Sequence, residues 1–268
     1  MQAAVTMDDT GLETLICERF GEAPEVPESL KKNIGLCRMA GRGSCRSFLP
    51  GAPDKAVLKT LAAVALAAPS KSDLQQRDIL LVQDAHKTAQ LKDLLKAQEW
   101  IAGAPAFVVF LADNRRQRQI QDWHAQPFPN DHLDAFFNAS LDAGIALNAF
   151  MTAAEATGLG CCPISTIRNH MSEVRDLFGL PDHVFAVAAM AVGHPAERPR
   201  ISPRLSLETT VHSDVYRDTN WPDVAEYDAR RRGNSDAPAW SEAKAQMYSK
   251  TQRTGFGDFI RRIGFRTD

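Results

Sequence analysis

The sequence predicts an α+β domain with a central sheet flanked by helices. Two apolar runs, 106–113 and 183–193, have the length and boundaries of buried strands. Helical patterns alternate with such runs along the chain. The 268 residues, 44% of them hydrophobic, are enough to bury a core of normal size. Together these observations exclude a wholly disordered chain.

The elements of the N-terminal half follow from local signals. Residues 1–40 contain short apolar patches and the Pro- and Glu-rich stretch GEAPEVPES, which predict a helix and a connector. The Leu- and Ala-rich pattern from Asp54 to Ala68 predicts a mostly buried helix, capped by Asp54 and ended by Pro69. Three further predictions are a strand at 79–84, a helix at 85–100 and a strand at 106–113.

The C-terminal half contains one polar excursion and one long apolar helix. Residues 114–131 are polar, with two prolines and no apolar period, and are interpreted as an exposed segment and a candidate lid. Residues 133–157 are apolar around most of the circumference and predict a buried helix, ended by the GLG of 158–160. Its alanines at spacing four allow another helix to approach closely, in the domain centre or at a subunit interface.

The remaining elements lie beyond this helix. A shorter helix is predicted around 172–180 and a strand at 183–193, followed by an extended segment at 194–216. The tail beyond Asn220 is charged.

Composition excludes several function classes. The 31 basic and 33 acidic residues give a net charge of -2, without the basic excess that drives nucleic-acid binding. The acidic N-terminus lacks a continuous apolar core and no stretch approaches a membrane span, so we expect a cytoplasmic protein. Five cysteines without C-x-x-C spacing and seven scattered histidines disfavour disulfide, zinc and other metal sites. Cys161 and Cys162 are interpreted as core residues.

Three groups of residues could bind an anionic ligand. The stretch 42–48, R-G-S-C-R-S-F, holds two guanidinium groups and a hydroxyl, with Gly43 leaving the backbone bare. Arginine suits phosphate because it forms bidentate hydrogen bonds and stays charged. A polar turn, A-P-S-x-x-x-x-Q, occupies 68–75, and Pro203-Arg204 lies in the late extended segment. Taken alone, a short R-G-S-C-R stretch is more often a solvated turn than a phosphate site.

In combination, these segments resemble the FMN-dependent nitroreductase family. The R-x-S-x-R-x-F entry, the A-P-S-x-x-x-x-Q turn, the G-L-G helix exit and G-H-P-A-E-R-P-x-x-x-P-R-L occur in the family's order between Arg42 and Tyr216. Length and the Arg-rich tail are most similar to the larger, NADPH-preferring, oxygen-insensitive branch. The resemblance implies an α+β fold with a mixed central sheet flanked by helices, in an intertwined homodimer. We expect an extension at 1–40, an FMN-binding domain at 41–216 and a C-terminal extension at 217–268.

The resemblance also implies a set of cofactor contacts. Arg42, Gly43, Ser44, Cys45 and Arg46 match the first FMN segment, whose cationic groups meet the phosphate and the pyrimidine side of the ring. The resemblance implies that Ser70 reaches the flavin across the dimer interface and that Arg204 binds the phosphate. The other FMN-binding positions it implies are Gln98, the backbone-rich stretch Pro163, Ile164, Ser165 and Thr166, and Ser202 and Pro203. Arg232 resembles the tail element that contacts the 2'-phosphate of NADPH.

Three departures from the family pattern affect flavin binding. Ser165 and Thr166 stand where the larger branch usually has glycines, so the backbone there is expected to lie farther from the ring. Ser202 replaces a frequent lysine and removes one positive charge near the phosphate. Asp73 occupies a position that is often Asn, and a carboxylate there disfavours the anionic reduced flavin unless Arg46 or Lys71 compensates.

The implied activity is ping-pong hydride transfer from NADPH through flavin N5 to nitroaromatics, quinones or flavins. No catalytic side chain is then required, because FMN carries the chemistry and a fixed arginine stabilises its reduced form. Three alternatives stay open: the same fold performing reductive dehalogenation or flavin breakdown, with its specificity in 114–131; a non-catalytic flavin-binding protein; and an α+β core whose arginines are surface charges.

Overall fold

A computed structural model describes residues 10–268. The first nine residues of the predicted 1–40 extension lie outside the described residues. The helices are α1 (Leu12–Phe20), α2 (Glu28–Lys31), α3 (Ile34–Gly41), α4 (Lys55–Leu66), α5 (Ala85–Leu94), α6 (Arg115–Trp123), α7 (Leu133–Ala156), α8 (Met171–Phe178), α9 (Leu207–Thr210), α10 (Trp221–Arg232), α11 (Trp240–Tyr248) and α12 (Phe256–Arg262). The strands are β1 (Arg77–Val82), β2 (Ala106–Asp113), β3 (Gly160–Ile164) and β4 (Val184–Gly193).

The chain folds into two compact units that interleave along the sequence. The sheet unit comprises Ser44–Pro199 and Arg253–Asp268, and the helical unit comprises the segment up to Gly43 together with Arg200–Gln252. This division differs from the predicted boundaries at 40 and 216, because spatial compactness joins segments that are distant in sequence. The last 16 residues belong to the sheet unit.

The four strands form one sheet in the order β1-β2-β4-β3. All three pairings are antiparallel, with Ile79 opposite Phe110 and Cys162 opposite Ala191, and a bulge interrupts β2 after Phe110. The α+β class is confirmed. The expected mixture of parallel and antiparallel pairs is not seen among the strands that residues 10–268 contribute. Strand β3, which the sequence analysis did not assign, lies at one edge of the sheet.

The sheet is buried on both faces. Alternate residues of β2 point to opposite sides, as the pleat requires: Phe107 and Val109 join one core with α5 and α8, whereas Val108 and Phe110 join another with α4 and α7. All eight residues of β2 are buried. This two-sided burial explains why the sequence here is continuously apolar instead of alternating.

Helix α4 confirms the predicted cap but is less buried than expected. The Asp54 side chain accepts a hydrogen bond from the Ala56 N–H, at 2.6 Å, and so caps the helix. Leu58, Leu61 and two alanines face the core, while Val57 and Val64 are 41% and 56% exposed. The prediction of a mostly buried helix is corrected to a helix with one buried face.

Helix α7 spans the predicted residues but exposes one apolar stripe. Leu133, Phe137 and Leu141, spaced by four, are 49%, 58% and 46% exposed in the single chain. The alanine row at 135, 139 and 143 is buried in the sheet unit, so its small residues serve close packing in the domain centre. Within one chain, the predicted burial therefore holds for the alanine face of the helix and not for this stripe.

The polar segment 114–131 contains a helix that the sequence did not predict. Helix α6 occupies Arg115–Trp123 and has no buried residue. It lacks an apolar period because no side of it enters a core. The rest of the segment is largely exposed, as expected.

The charged tail is also helical. In the helical unit, α10 begins with a capping box in which Asn220 and Asp223 exchange hydrogen bonds, and Tyr227 of α10 packs edge-on against Trp240 of α11. In the sheet unit, Phe259, Ile263 and other residues of the last segment complete a third core with α7 and β4. Among residues 10–268, none of the helices combines the length and apolar composition needed to cross a lipid bilayer.

Candidate functional site

In the helical unit, a buried arginine links the segments that carry the predicted phosphate-binding residues. Arg19 of α1 is only 8% exposed. Its guanidinium donates to the Ala40 carbonyl twice, at 3.0 and 2.8 Å, to the Arg42 carbonyl, and to the Ser202 carbonyl at 3.2 Å. One side chain thus joins the end of α3 to the late extended segment.

The structure therefore brings Arg42, Ser202 and Arg204 together around Arg19. The N–H of Arg204 donates to the Arg19 carbonyl at 2.7 Å, which adds a second link between the same segments. Sequence reasoning missed Arg19. One signal was present: Arg19 follows Leu12 and Leu15 at helical spacing and so shares the buried face of α1.

The backbone of 202–204 is fixed while the Arg204 side chain is exposed. The Pro203 carbonyl accepts hydrogen bonds from the Tyr227 hydroxyl at 3.1 Å and from Arg231 at 3.4 Å, and the Arg204 carbonyl accepts one from Arg230. The Arg204 guanidinium contacts the carbonyls of Ser202 and Pro203 at 3.4 and 3.2 Å. The exposed cation thus stands on a rigid backbone, which suits capture of an anion.

In the sheet unit, the segment after Gly43 runs along the edge strand β3. The Cys45 N–H donates to the Cys161 carbonyl at 2.9 Å. Cys45 is buried, and burial raises the pKa of its thiol to about 11; the thiol donates to the Ser47 carbonyl at 3.2 Å. Cys45 is therefore a packing residue with an unreactive thiol, while Ser44 is half-buried and Arg46 exposed.

The structure also brings Gln98 to the predicted stretch 163–166. The Gln98 amide donates to the Thr166 hydroxyl at 3.3 Å, and its carbonyl oxygen accepts from the Trp100 indole N–H at 3.0 Å. Within 163–166, Ile164 is buried whereas Pro163 and Ser165 are exposed. The two predicted contacts are 68 residues apart in sequence and form one polar patch.

A second arginine missed by the sequence analysis lies beside this patch. Arg253 donates to the Ser165 carbonyl at 3.4 Å and to the Asn169 side chain at 2.8 Å. It belongs to the tail segment that returns to the sheet unit. No local feature of the sequence distinguishes Arg253 from the other arginines of the tail.

Ser70 lies in a turn with its own hydrogen bonds. Its hydroxyl accepts the Gln75 N–H at 3.1 Å, and the Asp73 carboxylate accepts from the Gln75 amide at 3.2 Å. The turn places both Ser72 and Asp73 in the left-handed region, with φ of 50° and 56°.

Arg232, the predicted NADPH contact, lines a groove of the helical unit between α10 and α11. Trp221, Asp228 and Glu242 line the same groove. The Asp228 carboxylate also accepts the Ser241 N–H at 3.0 Å. Two carboxylates in the groove compete with a phosphate for the guanidinium.

The residues present fit the chemistry of FMN. A phosphate needs fixed cationic donors, and the helical unit supplies Arg42 and Arg204 on segments joined by Arg19. The polar edge of a flavin ring needs hydrogen-bonding groups, and the sheet unit supplies the Gln98–Thr166 pair and the Ser165 segment. Neither set contains a nucleophile paired with a base.

The fold and these residues define an α+β protein with exposed and backbone-anchored arginines at its turns. Residues 39–194 match the nitroreductase family, and residues 202–268 match the C-terminal domain of the same family. The chain therefore belongs to the nitroreductase family.

Relatives are similar over most of their length. The FMN reductase [NAD(P)H] of Bacillus subtilis strain 168 is 29% identical over 236 residues, covering 84% of this chain and 95% of the relative. The oxygen-insensitive NADPH nitroreductase of Salmonella typhimurium is 28% identical over 239 residues, covering 85% and 97%. The solved structure of B. megaterium NfrA2 superposes with a TM-score of 0.82 at 31% identity, covering 88% of this chain and 99% of that one.

Proposed function

We propose that this protein is an FMN-dependent NAD(P)H oxidoreductase of the larger nitroreductase and flavin reductase branch. Family membership supports this, as do relatives named FMN reductase [NAD(P)H] and oxygen-insensitive NADPH nitroreductase that match nearly end to end. The acceptors we propose are nitroaromatics, quinones or free flavins, reduced in a ping-pong cycle. The observation that carries the proposal is the joining of Arg42 and Arg204 through buried Arg19.

The protein's residues then have binding and orienting roles. FMN, when bound, supplies the hydride chemistry that no side chain here provides. Arg42 and Arg204 bind its phosphate, and Arg19 holds their backbones so that little ordering is required on binding. Gln98 and Thr166 hydrogen-bond the polar edge of the ring, with Arg253 holding the neighbouring Ser165 carbonyl.

The remaining predicted contacts belong to the same proposal. Gly43, Ser44, Cys45 and Arg46 line the ring and phosphate, with Cys45 acting through its backbone because its thiol is buried. Pro163, Ile164, Ser202 and Pro203 contribute backbone groups. Ser70 contacts the flavin from its turn.

The phosphate assignment is tested by removing single charges. Arg42→Ala and Arg204→Ala are expected to weaken FMN binding, because each removes a guanidinium whose hydrogen bonds to a charged group are worth about 1.5–3 kcal/mol. The matched control is Arg200→Ala, which removes an exposed arginine four residues before Arg204. Dissociation constants are measured from the change in FMN fluorescence. Wild-type affinity in both variants would refute the assignment.

The redox assignment is tested on wild-type protein. Purified protein supplemented with FMN is expected to be yellow, and anaerobic addition of NADPH to bleach the flavin absorption. An added quinone is then expected to restore it. Bound flavin that NADPH does not reduce would favour the non-catalytic alternative, and absence of bound flavin would favour the plain α+β core.

NADPH contact by Arg232 remains part of the proposal. Because Asp228 and Glu242 share the groove, removing one carboxylate should strengthen phosphate binding there. We expect Arg232→Ala to raise the KM for NADPH and Glu242→Gln to lower it, without matching changes for NADH. Unchanged constants for NADPH in both variants would remove Arg232 from the site.

We also propose a homodimer located in the cytoplasm. The exposed stripe Leu133, Phe137 and Leu141 on α7, with Val57 and Val64 on α4, supports the dimer because apolar side chains so arranged gain from burial against a second copy. Light scattering on wild type and Phe137→Glu tests it. A monomeric wild type, or a Phe137→Glu variant that is still dimeric, argues against this interface.

A further inference from the structure

We infer that Asp142 and Arg77 form a buried pair whose role is to position the Ser70 turn, residues 68–76, for flavin binding. This inference rests on the proposed function. Asp142 lies in the middle of α7 and is fully buried, and the Arg77 side chain is 4% exposed. Asp142 is thus a carboxylate buried on a helix whose other buried residues, apart from Asn138, are apolar.

Asp142 holds the turn at two points. One carboxylate oxygen accepts the Lys71 N–H at 3.0 Å and the other accepts the Gln76 N–H at 3.1 Å. These two amides enclose residues 72–75 of the turn, and Lys71 directly follows Ser70; both bonds join residues more than 60 positions apart. Backbone N–H groups bonded to a buried carboxylate are strongly fixed, because charge-assisted hydrogen bonds strengthen in low dielectric.

Arg77 holds the entrance of the same turn. Its Nη2 donates to the Leu66 carbonyl at 3.0 Å and to the Ala68 carbonyl at 2.6 Å, where α4 ends. Its Nη1 lies 3.8 Å from the Asp142 carboxylate and compensates that charge. The pair therefore ties both ends of the turn to the interior of the sheet unit.

The segment between these ends needs such support. Ser72, Asp73 and Gln75 all have left-handed backbones, with φ of 50°, 56° and 51°. Non-glycine residues in this region persist only where the surroundings over-determine them. Outside the turn, α6 supplies Gln117, which donates to the Leu74 carbonyl at 2.8 Å, and Arg116, which donates to the Gln75 carbonyl.

Stability alone does not require this arrangement, because a well-packed apolar pair is often as stable as a buried ion pair. The pair instead restricts the exposed, strained turn that carries Ser70 to one conformation. Asp142 and Arg77 are therefore positioning residues, acting through the turn.

The experiment compares Asp142→Asn with two controls. Asp134→Asn makes the same charge change at an exposed position of α7, and Val174→Ala weakens the core elsewhere. FMN dissociation constants and amide hydrogen exchange are measured well below the lowest melting temperature. In Asp142→Asn we expect the Kd for FMN to rise at least about tenfold and exchange at Lys71 and Gln76 to accelerate. Both controls should bind FMN as wild type does.

Four outcomes would overturn the inference. Faster exchange in Asp142→Asn with a wild-type Kd means that the pair is merely structural. Equal loss of FMN in Val174→Ala means that general destabilisation explains the effect. A wild type that binds no FMN overturns the proposed function as well, whereas wild-type binding with an unaffected Asp142→Asn overturns this inference alone.

A second variant tests the inference in case Asp142→Asn does not fold. If Asp142→Asn does not fold because Arg77 is left uncompensated, the double variant Arg77→Gln with Asp142→Asn removes both charges and is measured in the same way. It is expected to weaken FMN binding at least about tenfold as well. A folded double variant with wild-type affinity counts against the inference.

Discussion

Replacing Gly160 by alanine should push the Cys45 segment away from β3. Gly160 is the first residue of β3, and a Cβ there would lie 2.6 Å from the Cys45 Sγ and 2.7 Å from the Cys45 Cβ. Cys45 cannot easily yield, because it is buried and its N–H is bonded to the Cys161 carbonyl. The added methyl group therefore has to displace backbone.

The size of the effect follows from these distances. Non-bonded carbon atoms in contact sit about 3.5–4.0 Å apart, so one of the segments must move by about 1 Å. Overpacking of this kind costs about 1–3 kcal/mol. For a protein of this size, that corresponds to a fall in Tm of about 2–12 °C. FMN retention should fall as well, since Ser44 and Arg46 flank the displaced residue.

Thermal unfolding of wild type, Gly160→Ala and Gly103→Ala measures the effect. Gly103 is the matched control, since a Cβ there meets no atom within 4 Å. The double variant Cys45→Gly with Gly160→Ala removes the clashing atoms and should show a favourable coupling of at least about 1 kcal/mol. A Gly160→Ala variant that melts with wild type, or a cycle without coupling, would refute the reasoning.

Three other predictions follow from the burial or exposure of single side chains. Arg19→Met removes hydrogen bonds to three carbonyls and should cost about 1.5–3 kcal/mol of unfolding free energy, with release of FMN as the Arg42 and Ser202 backbones lose their support. Burial, then the charge of Arg118, lowers the pKa of His183, so wild-type stability should fall as pH drops below about 6.5, the unfolded value. Among the cysteines of residues 10–268, exposed Cys17 should react with a thiol reagent in the native state, while Cys45 stays unlabelled.

Each of these has a direct check. For Arg19, chemical denaturation beside Arg200→Ala gives the comparison, and equal stability of the two variants contradicts the expectation. For His183, Asn tolerates the left-handed φ of 63°, so His183→Asn should show a smaller loss of Tm between pH 8 and pH 5. Parallel pH profiles count against it. For the thiols, peptide mass mapping after brief labelling identifies the modified residue, and label on Cys45 contradicts its buried state.

Much of the fold was readable from local pattern. Strand β2 covers the predicted 106–113 because a strand buried on both faces is continuously apolar. The Asp54 cap and the span of α7 were also readable, since capping and apolar composition act within a few residues. Helix α6 was missed because a helix that enters no core carries no apolar period.

The burial of α7 shows where pattern stops being informative. Its apolar circumference predicted burial, yet Phe137 is 58% exposed in the single chain. An apolar pattern around a helix does not distinguish the rest of the same chain, a second copy or solvent as the surroundings of each side chain.

The sequence by itself determined the class of fold, the family and the candidate binding segments, because motifs such as R-G-S-C-R and P-R-L are local and ordered. Only the tertiary structure decided which residues support them. The bonds from Arg19 to Ser202 and from Asp142 to Lys71 join positions 183 and 71 residues apart. The partners of these two side chains are backbone groups, which every residue has, so no side-chain pattern along the chain predicts these bonds.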